Sequence, residues 1–167
     1  MTYHILGDGP AAEPNYEAAL AISGDQALDT QSQVQAWTGL GWLAYEQARY
    51  EAAVERFNRA IELNGRSDEA YLGLGFSYFS LRDYDKALEA WQKTAELIPD
   101  EPSIYLSLGT LHWRRGTLVG DGSNQTEDRC DNPDLTNEEK TAAARQLELA
   151  IQHFVTALDL SGQLQAE

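Results

Sequence analysis

An all-α fold of three helical hairpins is predicted by three observations. Like residues recur every 34 positions, the apolar spacing within each copy is helical, and the joints inside a copy are too short for anything but antiparallel helices. Trp37, Tyr71 and Tyr105 form one recurring set, Leu40, Leu74 and Leu108 a second, and Gly41, Gly75 and Gly109 a third. Between the first two copies the match continues through Tyr50 and Tyr84, Ala53 and Ala87, Phe57 and Trp91, and Leu63 and Leu97. The third copy keeps the period to about Gly116, fails at Asp121 where an alanine is due, and resumes after an insertion. Ala150, Phe154, Ala157 and Leu160 then stand where Ala53, Phe57, Ala60 and Leu63 stand in the first copy.

The elements follow in order. Residues 1–33 hold five acidic side chains and neither Lys nor Arg. Within them Pro14 suits a first helical position, Tyr16, Ala19 and Leu20 share a face, and Ser23-Gly24 is a stop, which predicts a helix of about ten residues. A helix that short is marginal alone, so it either caps the first repeat or lies in a groove. Thr30 to Gln33, or Ser32 to Gln35, is a candidate capping box for the next helix. Residues 34–67 form the first hairpin, with Trp37, Leu40, Gly41 and Ala44 on one helix and Ala53, Phe57, Ala60 and Ile61 on the other. Residues 68–101 form the second. Gln47 to Tyr50 and Leu81 to Tyr84 are the tight turns, and Asn64-Gly65 and Pro99 end the hairpins. Small residues at the glycine and alanine positions let two helices approach while the aromatic side chains fill the remaining volume.

Residues 102–160 form the third hairpin, interrupted by an insertion of about 29 residues. A polar, turn-rich loop is expected over 118–135, and a helix from about 136 opened by a capping box from Thr136 to Glu139, running for about 24 residues. The tail 161–167 adds no polar covering helix. Repeat arrays need covered ends, so the last helix is expected to join another molecule, by self-association among other routes, or the chain is part of a longer protein.

Composition sets the outer bounds. The 167 residues carry 27 acidic against 12 basic side chains, a formal charge of −15, which repels phosphate backbones and anionic lipid surfaces. Neither a nucleic-acid nor a membrane partner is expected. One cysteine, Cys130, forms no internal disulfide, no apolar run spans a bilayer, and the first residues lack the basic and apolar parts of a secretory signal. A soluble, cytoplasmic chain is expected.

The pattern W/Y-x-x-L-G, then Y-x-x-A, then F/W-x-x-A/T, carried by Trp37 to Leu63, Tyr71 to Pro99, and Tyr105 to Gly116 with Ala150 to Leu160, resembles the tetratricopeptide repeat. Ala44 and His112 stand where that family favours tyrosine, Gly65 where it favours proline, and Thr94 where it favours alanine. The resemblance implies a right-handed α-solenoid whose first helices line a concave surface that holds a peptide or partner helix. The corresponding positions are Thr38, Trp42, Tyr45, Leu72, Phe76, Phe79, Leu106, Thr110 and Trp113. Five of the nine are aromatic, which marks a recognition surface unless the chain's own N-terminal or insertion helix covers it. A carboxylate clamp of the kind the family uses in co-chaperones would fall on Thr38, Trp42, Gly73, Ser103 and Ser107, which lack the charges it needs.

Other chemistry is faint. Asp121, Ser123, Gln125, Glu127, Asp128 and Asp131 are oxygen donors, but Thr126 occupies the sixth position, where a twelve-residue calcium loop needs glycine. Asn124-Gln125-Thr126 is a short glycosylation sequon without a secretion signal beside it. His112 and His153 fall at positions packed between helices, and Arg114-Arg115 is a small basic spot next to the stripe. No catalytic group, metal site or cofactor is expected. The expected function is a protein-interaction module, a scaffold or assembly adaptor. The alternative is a regulatory or docking domain of a larger protein or of a secretion or assembly machine.

Overall fold

The computed structural model describes residues 9–22, 28–117 and 136–164; these form seven helices and, among the described residues, no strand. They are α1 (Gly9–Ala21), α2 (Thr30–Glu46), α3 (Tyr50–Leu63), α4 (Asp68–Ser80), α5 (Tyr84–Leu97), α6 (Pro102–Thr117) and α7 (Asn137–Leu164). By its contacts the chain divides into two compact units, Met1–Leu97 and Ile98–Glu167. In the first, α2 pairs with α3 and α4 with α5, while α3 also packs on α4 and α1 on α2. In the second, α6 pairs with α7. This is the all-α hairpin fold that the repeat period predicts.

The turns inside the first two hairpins share one geometry. Ala48 and Arg82, which occupy the same position in successive repeats, both take left-handed backbone angles, with φ of 56° and 63°. Their neighbours close the helix ends, Arg49 N–H donating to Ala44 O and Asp83 N–H to Tyr78 O, each at 2.9 Å. Two orphan carbonyls are satisfied, and the chain reverses between one helix and the next.

Helix starts differ from the sequence expectation in two places. α2 is capped by Asp29, whose carboxylate accepts from Ser32 N–H at 2.8 Å, so Thr30 is the first helical residue and Gln33 donates instead to Leu28 O. A full negative charge at a helix N-terminus outcompetes a hydroxyl, which explains the choice. α1 begins at Gly9 and keeps Pro14 inside it. The proline removes one helical donor, a cost that leaves α1 dependent on what it packs against. At α7 the capping box from Thr136 to Glu139 forms in both directions, at 2.8 and 3.2 Å, and the helix runs 28 residues.

The core of the first unit centres on Phe57, which is fully buried. On one side its ring lies against Gly41 of α2, where an added Cβ would sit 2.6 Å from the ring, and on the other it rests on Gly73 of α4. Val34, Ala44, Ala53, Ala60, Ala70, Leu74 and Ala90 complete the cluster, with Val54 and Ile61 among the residues packed against it. Trp91 repeats the arrangement over Gly75 and donates its indole N–H to Leu72 O at 3.3 Å. In the second unit the Phe154 ring lies over Gly109.

α1 uses the same device. Tyr16 lies over Gly39 of α2, and Glu13 pairs with Arg49 at 2.9 Å and with Arg56 at 2.7 Å. The guanidinium groups of Arg56 and Arg49 hold the Glu13 carboxyl below its usual range. These contacts place α1 against the first hairpin at Gly39, Arg49 and Arg56.

Because Phe57 is enclosed on both faces, it cannot yield to a side chain at Gly73. Gly73→Ala is expected to destabilise the chain by about 1–3 kcal/mol. Gly65→Ala, where an added Cβ meets nothing within 4 Å, should leave the midpoint nearly unchanged. Thermal unfolding of the two variants side by side checks this.

Candidate interaction surface

The stripe implied by the repeat resemblance is placed by α2 and α4 in the first unit and by α6 in the second. On α2 and α4 it consists of Thr38, Trp42, Tyr45, Leu72, Phe76 and Phe79. Thr38 and Leu72 are buried, and the four aromatics are half-buried. Their rings interlock with those of the paired helices. Trp42 meets Phe57 edge-on at 5.3 Å and Tyr45 at 5.8 Å, and Phe76 meets Trp91 at 5.2 Å. Trp42 to Phe76, at 6.2 Å, joins the two hairpins, while Tyr45 reaches Tyr50 and Phe79 reaches Tyr84, both at 5.5 Å. The result is one continuous aromatic ladder, in which each ring is both packing material and a partly exposed edge.

Two polar atoms inside this ladder are left over. Thr38 Oγ1 and Trp42 Nε1 are buried and make no hydrogen bond of good geometry. The Trp42 indole instead acts on Glu69: burial pushes the Glu69 carboxyl up from its ordinary value, and the neighbouring indole N–H offsets part of that rise. Trp91, at the hairpin position equivalent to Phe57, has no such deficit, because its N–H reaches Leu72 O.

On α6 the stripe is open. Leu106 is 50% and Trp113 46% exposed, and half-buried Thr110 between them turns its hydroxyl back to Leu106 O at 2.8 Å. The Arg114 guanidinium lies 5.5 Å from the Trp113 ring, a cation–π contact at a surface site. Three of the five carboxylate-clamp positions are engaged within the fold. Ser103 donates to Glu101, Ser107 to Ser103 O, and Gly73 lies under Phe57.

The structure also brings together two residues that the sequence separates. His112 and His153 stack at 5.3 Å with 8° between their planes, in the α6–α7 interface. His112 is buried, and its Nδ1 lies 2.8 Å from Gln146 Oε1. Tyr105 lies 6.1 Å from the His153 ring. Burial, followed by the facing His112, lowers the His153 pKa. The sequence carries a signal for this, since both histidines fall at inter-helix repeat positions, but the insertion between them hides that they face one another.

Among the described residues no group of three or more His, Cys, Asp or Glu could hold a metal ion, and no helix is long and apolar enough to cross a membrane. The oxygen donors from Asp121 to Asp131, the sequon at Asn124, and Cys130 lie outside the described residues.

Comparison with known proteins agrees with the geometry. The tetratricopeptide repeat pattern matches residues 1–64 in one form and residues 38–102 and 72–121 in another. No curated protein matches. Among solved structures, a crystal structure of MamA superposes with a TM-score of 0.70 at 24% identity, covering 96% of this chain and 73% of that one. A MamA RS-1 ArsTM double mutant gives 0.69 at 18% identity, covering 97% and 71%. A further MamA crystal structure gives 0.64 at 24%, covering 94% and 66%. At these identities the likeness is one of fold.

The leftover hydroxyl and the paired histidines each lead to a measurable outcome. Thr38→Val removes an unpartnered buried hydroxyl at nearly constant volume, so it should raise stability by about 1 kcal/mol in urea unfolding. A lowered His153 pKa means that the unfolded chain takes up the proton more readily. Stability from this site is therefore complete above the ordinary value of 6.5 and is lost as pH falls below it, and His153→Gln should flatten that part of the pH–stability curve.

With a repeating 34-position register, helices paired over glycine and repeat matches from residue 1 to residue 121, the chain belongs to the tetratricopeptide repeat family.

Proposed function

We propose that this chain is a non-enzymatic protein-interaction module, a cytoplasmic scaffold or assembly adaptor that holds a partner helix or peptide against the stripe on its first helices. The repeats of this reading span 34–67, 68–101 and 102–160, the last interrupted by an insertion whose expected loop, 118–135, lies outside the described residues. The observation that carries it is the exposure of Leu106 and Trp113 on α6, two large apolar side chains seven residues apart on one helix face. Exposed aromatic and aliphatic anchors at helical spacing supply affinity in helix-in-groove recognition. Arg114 beside Trp113 favours a partner with an acidic residue next to its apolar anchor.

Within the first unit, the edges of Trp42, Tyr45, Phe76 and Phe79 are the proposed contacts, with Thr38 and Leu72 supporting them from beneath. Alanine at Trp42 or Phe76 would remove ring contacts of the ladder itself, so those variants report on the fold as well as on binding. Leu106 and Trp113 are the cleaner probes. In affinity capture with the full chain, Leu106→Asp and Trp113→Ala are each expected to lose at least tenfold of the partner bound by wild type while keeping its helical circular dichroism. An unchanged set of partners in the double variant would overturn the reading.

A further inference from the structure

The two hairpins that contain Phe57 and Phe154 show the same helix face in two conditions. On α3, Phe57 is enclosed between Gly41 of its own hairpin and Gly73 of the following helix, and Val54 and Ile61 pack against the same cluster. On α7, at the corresponding repeat position, Phe154 rests on Gly109 and is 37% exposed. Ile151 and Leu158, which stand where Val54 and Ile61 stand on α3, are 63% and 71% exposed, with exposed Val155 between them. Among the described residues, α7 therefore presents uncovered the face that α3 buries.

The covering helix in the first unit defines what fits. α4 offers Ala70, Gly73 and Leu74, a small-x-x-Gly-Leu face whose glycine admits the aromatic ring. The chain carries that face a second time. Ala36, Gly39 and Leu40 of α2 lie one repeat period earlier in the same order, and all three are covered or partly covered. On Gly39 sits Tyr16 of α1, in the place that Phe57 takes on Gly73.

We propose that the occupant of the α7 face is α2 of a second copy of this chain, with Phe154 seated over Gly39 in place of Tyr16 and α1 displaced. The contact is continuous in chemistry with the α3–α4 interface inside each copy, since the same ring meets the same glycine register. α1 is suited to leave. It is a 13-residue helix with a proline inside, its Tyr16 is exposed, and of its ion pairs through Glu13 the one to Arg49 is exposed, where salt weakens it. Joining α7 to α2 is heterologous, so each added copy leaves one new face of each kind. This goes beyond the partner-binding reading, because it uses α7 and the α1-covered face of α2 and neither Leu106 nor Trp113.

Sedimentation of the purified full chain tests it. Wild type should show an average mass that rises above 18.5 kDa with concentration, and Glu13→Gln or added salt should shift assembly to lower concentration by loosening α1. Leu158→Glu, at a surface position that the fold does not need, should stay at 18.5 kDa. Gly39→Leu should stay monomeric too, and mixing the two variants should restore a dimer through the one intact pair of faces. A wild type that remains monomeric at every concentration, assembly that survives Leu158→Glu, or a Gly39→Leu variant that still self-associates would each overturn the proposal. Partner capture through Leu106 and Trp113 is read in a separate assay, so either idea can fail without the other.

Discussion

The aromatic ring laid on a helical glycine is the contact on which the rest of this molecule depends. Phe57 on Gly41 and Gly73, Trp91 on Gly75, Phe154 on Gly109 and Tyr16 on Gly39 are one contact used repeatedly. Without a Cβ the backbones come closer than ordinary side chains permit, and the ring fills the slot at interior density. Burying a ring as completely as Phe57 is worth about 2–3 kcal/mol in transfer terms. The contact also fixes register, since a shift of one residue would place a side chain where only hydrogen fits. The aromatic ladder follows from it. Once Phe57 and Trp91 occupy their slots, Trp42 and Phe76 on the facing helices have only the ring edges to lean on, and they adopt edge-on contacts accordingly.

Charge is arranged around this apolar frame and kept out of it. Of the formal −15, residues 1–33 carry −5 and residues 118–136 carry −4, so most of it lies outside the repeat hairpins. Where an N-terminal acid meets the hairpin it becomes a tether, as Glu13 does with Arg49 and Arg56. Glu69 departs from the pattern, since it is a carboxyl drawn into the ladder beside Trp42, and its raised pKa records the desolvation it suffers there. Together with the buried Thr38 hydroxyl and the Trp42 indole N–H, neither of which makes a hydrogen bond of good geometry, it marks the least satisfied part of the ladder. Such a cluster lowers stability, because buried polar groups without well-formed hydrogen bonds keep their desolvation cost.

The hairpins, their joints and the interrupted third repeat are legible in the sequence because they rest on period, and a period survives without coordinates. Trp37, Tyr71 and Tyr105 announce the register as plainly as any contact does. What is not legible is set by competition between neighbours. Asp29 takes the cap from Thr30 because two adjacent residues can each serve and only the charge decides. The stripe reads as a groove surface because five of its six positions in the first unit are apolar or aromatic. Position alone does not say that Phe57 and Trp91 project into the same layer and half-bury it. His112 and His153 are each legible as inter-helix residues, yet with the insertion between them in sequence no fixed period says that the two positions face each other.

A repeat built from nearest-neighbour contacts has no separate machinery for stability and for recognition. Phe57 and Phe154 are residues of the same kind, and the difference among the described residues is that Phe57 meets a second glycine-bearing helix, at Gly73, while Phe154 meets Gly109 and is part-exposed. The same holds at α1, which is too short and too interrupted by proline to be stable alone and persists by borrowing the ring-on-glycine contact from the array it covers. Cover and core are therefore interchangeable in chemistry and differ in strength. Tyr16 brings one ring and a salt-sensitive tether to Gly39, whereas α3 brings Phe57, Val54 and Ile61 to Gly73 and the residues around it. In the proposed assembly a helix presenting the fuller set competes for the face held by the lesser one, and that inequality is what would let a covered repeat surface exchange its cover for a second copy.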